Sequence, residues 1–276
     1  MALLAAASSC AESPTPSALP TISAPGPSST AVCSNEPTGY TVINDDALKD
    51  VPAWPATNSQ GWIDDERNAK ATISIVNDPT SLFPSINHNV AAGAFNKGAP
   101  GGSAPFFVYR PFAPQEQFRN LYICLYLKQS DNFTSNGNAG TKFLWPSGDQ
   151  VTGTMTYNGH DGANLDFQFF QQGPVDRQLA ANMNATSATM VSRRGQWVLY
   201  EMLLKANSDN STANGELHVW IDGVETHRYS DVDWQMGSAR TWLSLAWSPV
   251  YGGGLNPVPE TMFEYMDHVR VSGSNR

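Results

Sequence analysis

The fold of this chain is indicated most clearly by the stretch Gly215-Glu-Leu-His-Val-Trp-Ile-Asp-Gly-Val-Glu-Thr-His-Arg-Tyr229. Apolar and polar residues alternate on both sides of Asp222-Gly223, as they do in strands with one buried face. Asp and Gly both tolerate positive φ, which a two-residue hairpin turn of the primed type requires. The stretch therefore predicts a β-hairpin with its turn at Asp222-Gly223.

Strand features recur along the chain from about Gly39 onward. Runs of aromatic and β-branched residues are separated by turn clusters at fairly regular intervals. The predicted strands are Phe106–Phe112, Asn120–Lys128, Thr141–Trp145, Leu165–Phe170, Trp197–Ala206, Glu216–Ile221, Val224–Tyr229, Thr241–Trp247 and Phe263–Ser272. Helix is expected only as one turn near Pro174–Leu179. These features predict an all-β protein.

Length and charge limit the function. The 276 residues are enough for one large β-sandwich or two small domains. The formal net charge is −9, from 25 acidic and 16 basic residues. We therefore expect no nucleic-acid partner, because non-specific nucleic-acid binding needs a basic field. The same charge disfavours an anionic ligand unless basic residues gather in one cleft.

The N-terminus indicates export. The short apolar stretch Met1–Ala7 leads into Ala7-Ser-Ser-Cys10, which is similar to the lipobox of bacterial lipoproteins. No Lys or Arg precedes this stretch, as would follow from a start codon placed too far downstream; the alternative is a small-residue tail with an incidental cysteine. We expect residues 1–10 to be a signal and lipobox remnant with lipidation at Cys10. The protein is then an exported bacterial lipoprotein at the cell surface or in the periplasm, and it meets the membrane only through this anchor.

Residues 11–37 are expected to form a disordered tether. They are dominated by Ser, Pro, Thr and Ala, and they bury too little apolar surface to offset their chain entropy. The folded domain is predicted over 38–276, as a monomer. Cys33 and Cys124 form a candidate disulfide in an oxidising compartment. Because Cys33 lies in the tether and Cys124 in an apolar strand, we expect Cys124 to be a buried free thiol instead.

Several segments, in this order, resemble the jelly roll of the concanavalin A-like lectin and glucanase superfamily. They are Gly195-Gln-Trp197, the hairpin, Leu243-Ser-Leu-Ala-Trp-Ser-Pro-Val-Tyr-Gly-Gly-Gly254 and Tyr265-Met-Asp-His-Val-Arg-Val-Ser-Gly273. Within the superfamily the chain is similar to bacterial polysaccharide lyase-like proteins related to heparin, glucuronan and alginate lyases, with which it shares Lys142-Phe-Leu-Trp145. The resemblance implies a two-sheet antiparallel jelly-roll sandwich.

The resemblance also implies a function. The expected protein is an exported, polysaccharide-active lyase that cleaves a uronic acid-containing polysaccharide by β-elimination. The alternative is a non-catalytic, lectin-like module that binds glycan or mediates surface adhesion. The Gln-x-His strand motif of tested lyases is absent, since the chain has Gln168-Phe-Phe170, and no Tyr-x-Lys stands near the C-terminus. The motifs therefore leave both functions open.

The chemistry of β-elimination selects catalytic candidates. It needs a group that neutralises the carboxylate, a base for the C5 proton and an acid for the leaving oxygen. Residues of suitable type are Lys142, Gln168, His268 and Tyr157. Lys142 interrupts an apolar strand, so it lies either at a strand edge or in a polar groove.

The last predicted strand bears on His268. A period of two places Glu264, His268 and Arg270 on one face, and Val269 and Val271 on the other. Because the apolar side is expected in the core, we expect the first three on an outer or cleft face. A satisfied surface histidine is the alternative for His268.

Substrate binding is expected on the concave face of one sheet. Sugar rings stack on aromatic faces, and their hydroxyls need polar partners. The candidates are Trp145, Gln171, Trp247, Tyr251 and Arg270, and the alternative for Trp247 and Tyr251 is the core. No metal cage is evident, because the loop acids at Asp45-Asp46, Asp64-Asp65 and Asp231-x-Asp233 are pairs typical of solvated surface. We expect no cofactor, with a structural Ca²⁺ as the alternative.

Overall fold

The computed structural model describes residues 33–46, 61–64, 73–81, 88–102, 104–136, 140–148, 152–160, 164–172, 194–209, 211–234, 241–252 and 256–275. These residues form two antiparallel sheets joined by turns and one turn of 3₁₀ helix at Pro114–Glu116. The predicted turn of helix near 174–179 lies outside the described residues. None of the helical structure described here is long and apolar enough to span a bilayer.

The first sheet has eight strands. Its spatial order is β12 (Val224–Val232), β11 (Gly215–Ile221), β10 (Val198–Lys205), β6 (Asn120–Gln129), β14 (Met262–Ser274), β4 (Asn89–Phe95) and β3 (Ile73–Asn77). The long strand β14 pairs with β4 through its first half and with β1 (Thr41–Asp46) through its second half. Strand β6 therefore lies in the middle of this sheet, between β10 and β14.

The second sheet has six strands. Its order is β2 (Ile63–Asp64), β5 (Val108–Pro111), β13 (Trp242–Tyr251), β7 (Thr141–Gly148), β8 (Thr152–His160) and β9 (Asn164–Gln172). All nine strands predicted from the sequence are present, and the prediction of an all-β protein with two antiparallel sheets is confirmed. Strands β1 to β4 and β8 were not predicted.

The core lies between the inner faces of the two sheets. Alternate residues of each strand are buried there, as a pleated strand with one covered face requires. Its members include Leu125, Met202, Val219 and Val269 from the eight-stranded sheet, and Val108, Leu144, Leu245 and Trp247 from the six-stranded sheet. A second cluster packs on the outer face of the eight-stranded sheet and includes Tyr122, Tyr126, Trp197 and Leu199.

The hairpin turn has the predicted conformation. Asp222 and Gly223 both have positive φ, at 49° and 78°. The backbone N–H of Leu199 donates to Asp222 Oδ1 over 3.1 Å, so the turn is also tied to β10. The Asp-Gly pair thus joins β11 to β12 as the sequence indicated.

A bulge in β14 changes which residues face the core. The register shifts between Met266 and Val269. Before the bulge Glu264 and Met266 are buried, and after it Val269 and Val271 are buried. The expectation that Glu264 lies on an outer or cleft face is therefore wrong, because an extra residue in a strand reverses the alternation beyond it.

Residues 33–40, here called the strap, lie across the outer face of the eight-stranded sheet. Cys33 forms a disulfide with Cys124 of β6, with 5.7 Å between their Cα atoms. This bond overturns the expectation of a free thiol at Cys124. Asn35 donates from its backbone N–H and its amide to the two carboxylate oxygens of Glu201, each over 2.9 Å. The folded domain therefore includes Cys33, which lies within the segment that was expected to be tether.

Candidate functional site

Strand β7 presents two of the predicted site residues on the outer face of the six-stranded sheet. Phe143 and Leu144 are completely buried in the core, whereas Lys142 and Trp145 are partly exposed. The register of β7 shifts between Lys142 and Leu144. This irregularity allows Lys142 and Trp145 to share the outer face, although they are three positions apart. Lys142 is therefore not a core lysine, and its cation is available at the surface of this sheet.

The indole of Trp145 is held in place from two sides. Its Nε1–H donates to the backbone oxygen of Ser248 in β13 over 2.7 Å. Lys142 Nζ lies 5.4 Å from the centroid of the ring, within the range of a cation–π interaction. A flat aromatic surface and a positive charge are thus fixed next to each other.

Two further aromatic rings lie on the same face. Phe107 and Tyr109 are partly exposed and alternate along the chain with the buried residues Phe106 and Val108. Their ring centroids are 5.4 Å apart and their planes are inclined by 47°. The sequence showed this alternation within the predicted strand 106–112, but we did not assign the pair to the site.

Cross-strand register aligns these rings with Trp145. Tyr109 pairs with Ala246 of β13, and Ala246 pairs with Trp145 of β7. The next row on this face contains Ser147 opposite Ser244, and both are partly exposed. Small side chains therefore separate the two aromatic groups.

Backbone register places Gln168 in line with Lys142. Thr156 of β8 pairs with Lys142 on one side and with Gln168 of β9 on the other. Tyr157 pairs with Thr141. Gln171 of β9 pairs with Gly153. The side chains of β8 and β9 lie outside the described part of the structure, so for Gln168, Tyr157 and Gln171 only these backbone positions are known.

Trp247 and Tyr251 belong to the core, which corrects their assignment to the substrate cleft. Trp247 is completely buried, and its ring meets Phe106 edge-on with centroids 4.6 Å apart. Tyr251 is also buried and packs against Phe95. The sequence could not decide between core and cleft because register shifts in β13 interrupt the simple alternation.

His268 and Arg270 lie in the other sheet, so the structure does not bring them together with Lys142. His268 is buried, and its Nε2 is 3.0 Å from Asp45 Oδ1. Arg270 donates to Glu36 of the strap over 2.7 Å and to Asp45 over 2.6 Å. These contacts fasten the strap and β1 to β14, and they correct the assignment of His268 to catalysis and of Arg270 to substrate binding.

One carboxyl group is buried between the sheets. Glu264 is completely buried, and burial raises its pKa to about 7, although hydrogen bonds from Trp247 and Gln129 act in the opposite direction. Trp247 Nε1–H donates to Glu264 Oε1 over 2.6 Å. Because Glu264 faces the core, it does not contribute to the outer face that carries Lys142.

No metal centre is found in the described residues. Among them, no three His, Cys, Asp or Glu side chains gather closely enough to hold a metal ion. Asp45, one of the acids considered for Ca²⁺, is engaged by Arg270 and His268 instead.

Comparison with known proteins gives the class of fold. No protein-family model matches the chain. No curated protein is significantly similar to it in sequence. Among solved structures, the alginate lyase vAL-1 from a Chlorella virus is 12% identical with a TM-score of 0.56, covering 77% of this chain and 93% of that one.

Two further solved structures share this fold. A mutant of alginate lyase Aly36B in complex with an alginate trisaccharide is 14% identical with a TM-score of 0.54, covering 76% of this chain and 89% of that one. The cellulose induced protein Cip1 is 12% identical with a TM-score of 0.51, covering 84% and 98%. The chain therefore has the two-sheet jelly-roll fold found in polysaccharide lyases, as its sequence resemblance implied.

Proposed function

We propose that this protein is a polysaccharide lyase that binds a uronic acid-containing glycan on the outer face of the six-stranded sheet. The observation that carries the proposal is the pairing of Lys142 with Trp145. A sugar ring that displaces the Lys142 cation from over the indole and stacks there keeps its carboxylate within reach of that cation. A neutralised carboxylate is what β-elimination requires first, because it stabilises the negative charge that develops when C5 loses its proton.

The elimination step needs two further groups. A base takes the proton from C5, the electron pair forms the C4=C5 double bond, the C4–O bond breaks, and an acid protonates the leaving oxygen. Gln168, in the same cross-strand row as Lys142, is the candidate for a second contact to the carboxylate. Tyr157, the sequence-based candidate for proton transfer, pairs with the buried Thr141, so the register does not align it with the row of Lys142.

A non-catalytic, lectin-like module is the second candidate function. The aromatic pair Phe107 and Tyr109 favours it, since stacking surfaces bind sugar without any chemistry. The two functions differ in one respect that can be measured, because only elimination creates a conjugated double bond.

The deciding experiment follows absorbance near ~235 nm while the purified protein is incubated with a panel of uronic acid polymers. A rise with one polymer is expected, and Lys142→Ala should reduce its rate by about 100-fold or more. Lys205→Ala is the matched control, because Lys205 lies in the other sheet and pairs with Glu216. If no polymer gives a rise but several retard the protein in affinity gels, the lectin-like function replaces the lyase.

We also propose that the protein is exported and anchored through Cys10. The disulfide between Cys33 and Cys124 supports an oxidising compartment, since cytosolic thiols are kept reduced. A clickable palmitate analogue should label the full-length precursor and not its Cys10→Ser variant. Equal labelling of the two proteins would contradict the anchor.

A further inference from the structure

We infer that Phe107 and Tyr109 form a second sugar-stacking subsite. It binds a sugar of the same glycan that is about two sugar units away from the one that faces Lys142. The inference rests on the proposed function and extends it from one reactive sugar to a bound stretch of polymer. It also assigns a direction, because the two subsites lie in one row that crosses the strands.

The spacing of the row fits a glycan. Tyr109 and Trp145 are separated by one strand, β13, and therefore by two inter-strand distances, about 10 Å. Two repeats of an extended β-linked pyranose chain have about this length, so the two rings face sugar units i and i+2. Ala246, the residue between the two rings, is small, so the path from one ring to the other is not obstructed.

The second subsite differs from the first in charge. Arg110 is the cation nearest in sequence to Tyr109, but it is engaged away from this face, with Glu116 at 3.0 Å and the backbone oxygen of Ile43 at 3.4 Å. The cation of Lys142 instead lies over Trp145. The aromatic pair therefore recognises the apolar face of a sugar ring and does not require a charged carboxylate on that ring.

Two consequences distinguish this subsite from an incidental aromatic pair. The contribution of this subsite to binding affinity must depend on glycan length, since a disaccharide that occupies the Lys142 subsite does not reach Tyr109. It must also accept a unit whose carboxylate is methyl-esterified. Neither property follows if Phe107 and Tyr109 only cover the strand beneath them.

The test measures the affinity of β-1,4-linked uronic acid di-, tetra- and hexasaccharides by calorimetry. All proteins carry Lys142→Ala, which slows turnover and is common to every comparison. Adding Tyr109→Ala should weaken hexasaccharide binding about tenfold and leave disaccharide binding unchanged. Tyr109→Phe keeps the ring and should restore the affinity, which separates stacking from any effect on folding.

Equal losses at every length, or no loss at any length, would overturn the subsite. The absorbance assay on the protein without these substitutions reports separately on the proposed function. A rise in absorbance with no length-dependent loss removes the subsite and keeps the lyase. No rise with a length-dependent loss keeps the subsite in a binding protein, and no rise together with no binding of any oligosaccharide removes both.

Discussion

Glu264 is expected to make the stability of this protein depend on pH in a defined window. Its carboxyl is completely buried, and its pKa is about 7 in the native state against an ordinary value of 4.5. Between these values the native protein keeps a proton that the unfolded chain has lost. The free energy of unfolding therefore falls as pH rises through this window, and it levels off above about pH 7.

The size of the effect follows from the same two values. The interval from 4.5 to about 7 corresponds to a loss of about 3 kcal/mol between the ends of the window. Glu264→Gln removes the titration and keeps an oxygen that accepts the Trp247 hydrogen bond. The variant should therefore be more stable than the parent protein above pH 7, by up to the same amount.

Urea unfolding followed by fluorescence from pH 5 to pH 8 measures this difference. Other titrating groups, such as the buried His227, are present in both proteins, so they cancel in the comparison. Glu260→Gln removes a carboxylate from an exposed position of the same region and should follow the parent protein at every pH. If Glu264→Gln and the parent protein lose stability in parallel, the buried carboxyl does not hold its proton and the reasoning fails.

Two further perturbations test the packing. Cys33→Ser opens a loop of 91 residues and should lower the free energy of unfolding by up to about 4–5 kcal/mol. Urea unfolding of the variant, beside the oxidised and the reduced parent protein, measures this loss. Equal stability of the oxidised and reduced parent protein would contradict it. Gly93→Ala places a Cβ 2.0 Å from Cε1 of the buried Phe106 and should cost about 1–3 kcal/mol, seen as a lower Tm. An unchanged Tm would mean that the ring of Phe106 moves without penalty.

Strands with large alternating side chains could be predicted, and strands made of small residues could not. Strand β4 is Asn89-Val-Ala-Ala-Gly-Ala-Phe95, and its alanines show no contrast between its two faces. Its glycine is nevertheless required by the packing, since Phe106 occupies the place of a side chain at Gly93. A residue chosen for a neighbour distant in sequence leaves no periodic signal along its own strand.

The candidate site was predictable in part for the same reason. Lys142 and Trp145 could be recognised because a cation and an aromatic ring interrupt or flank an apolar strand. Glu264 could not be placed, because the bulge between Met266 and Val269 reverses the faces of β14. The disulfide could be named only as a candidate, since sequence separation does not show that Cys33 folds back onto β6.

The strap has a mechanical consequence. A pull on the chain ahead of Cys33 reaches the sandwich through a covalent bond to Cys124, and β6 distributes it to the strands on both sides. The pulling force is therefore applied at the middle of the eight-stranded sheet, and it does not separate β1 from β14. The attachment point is also on the side opposite Lys142 and Trp145, so a protein held by its N-terminal segment would turn the face that carries these two residues outward, away from the support.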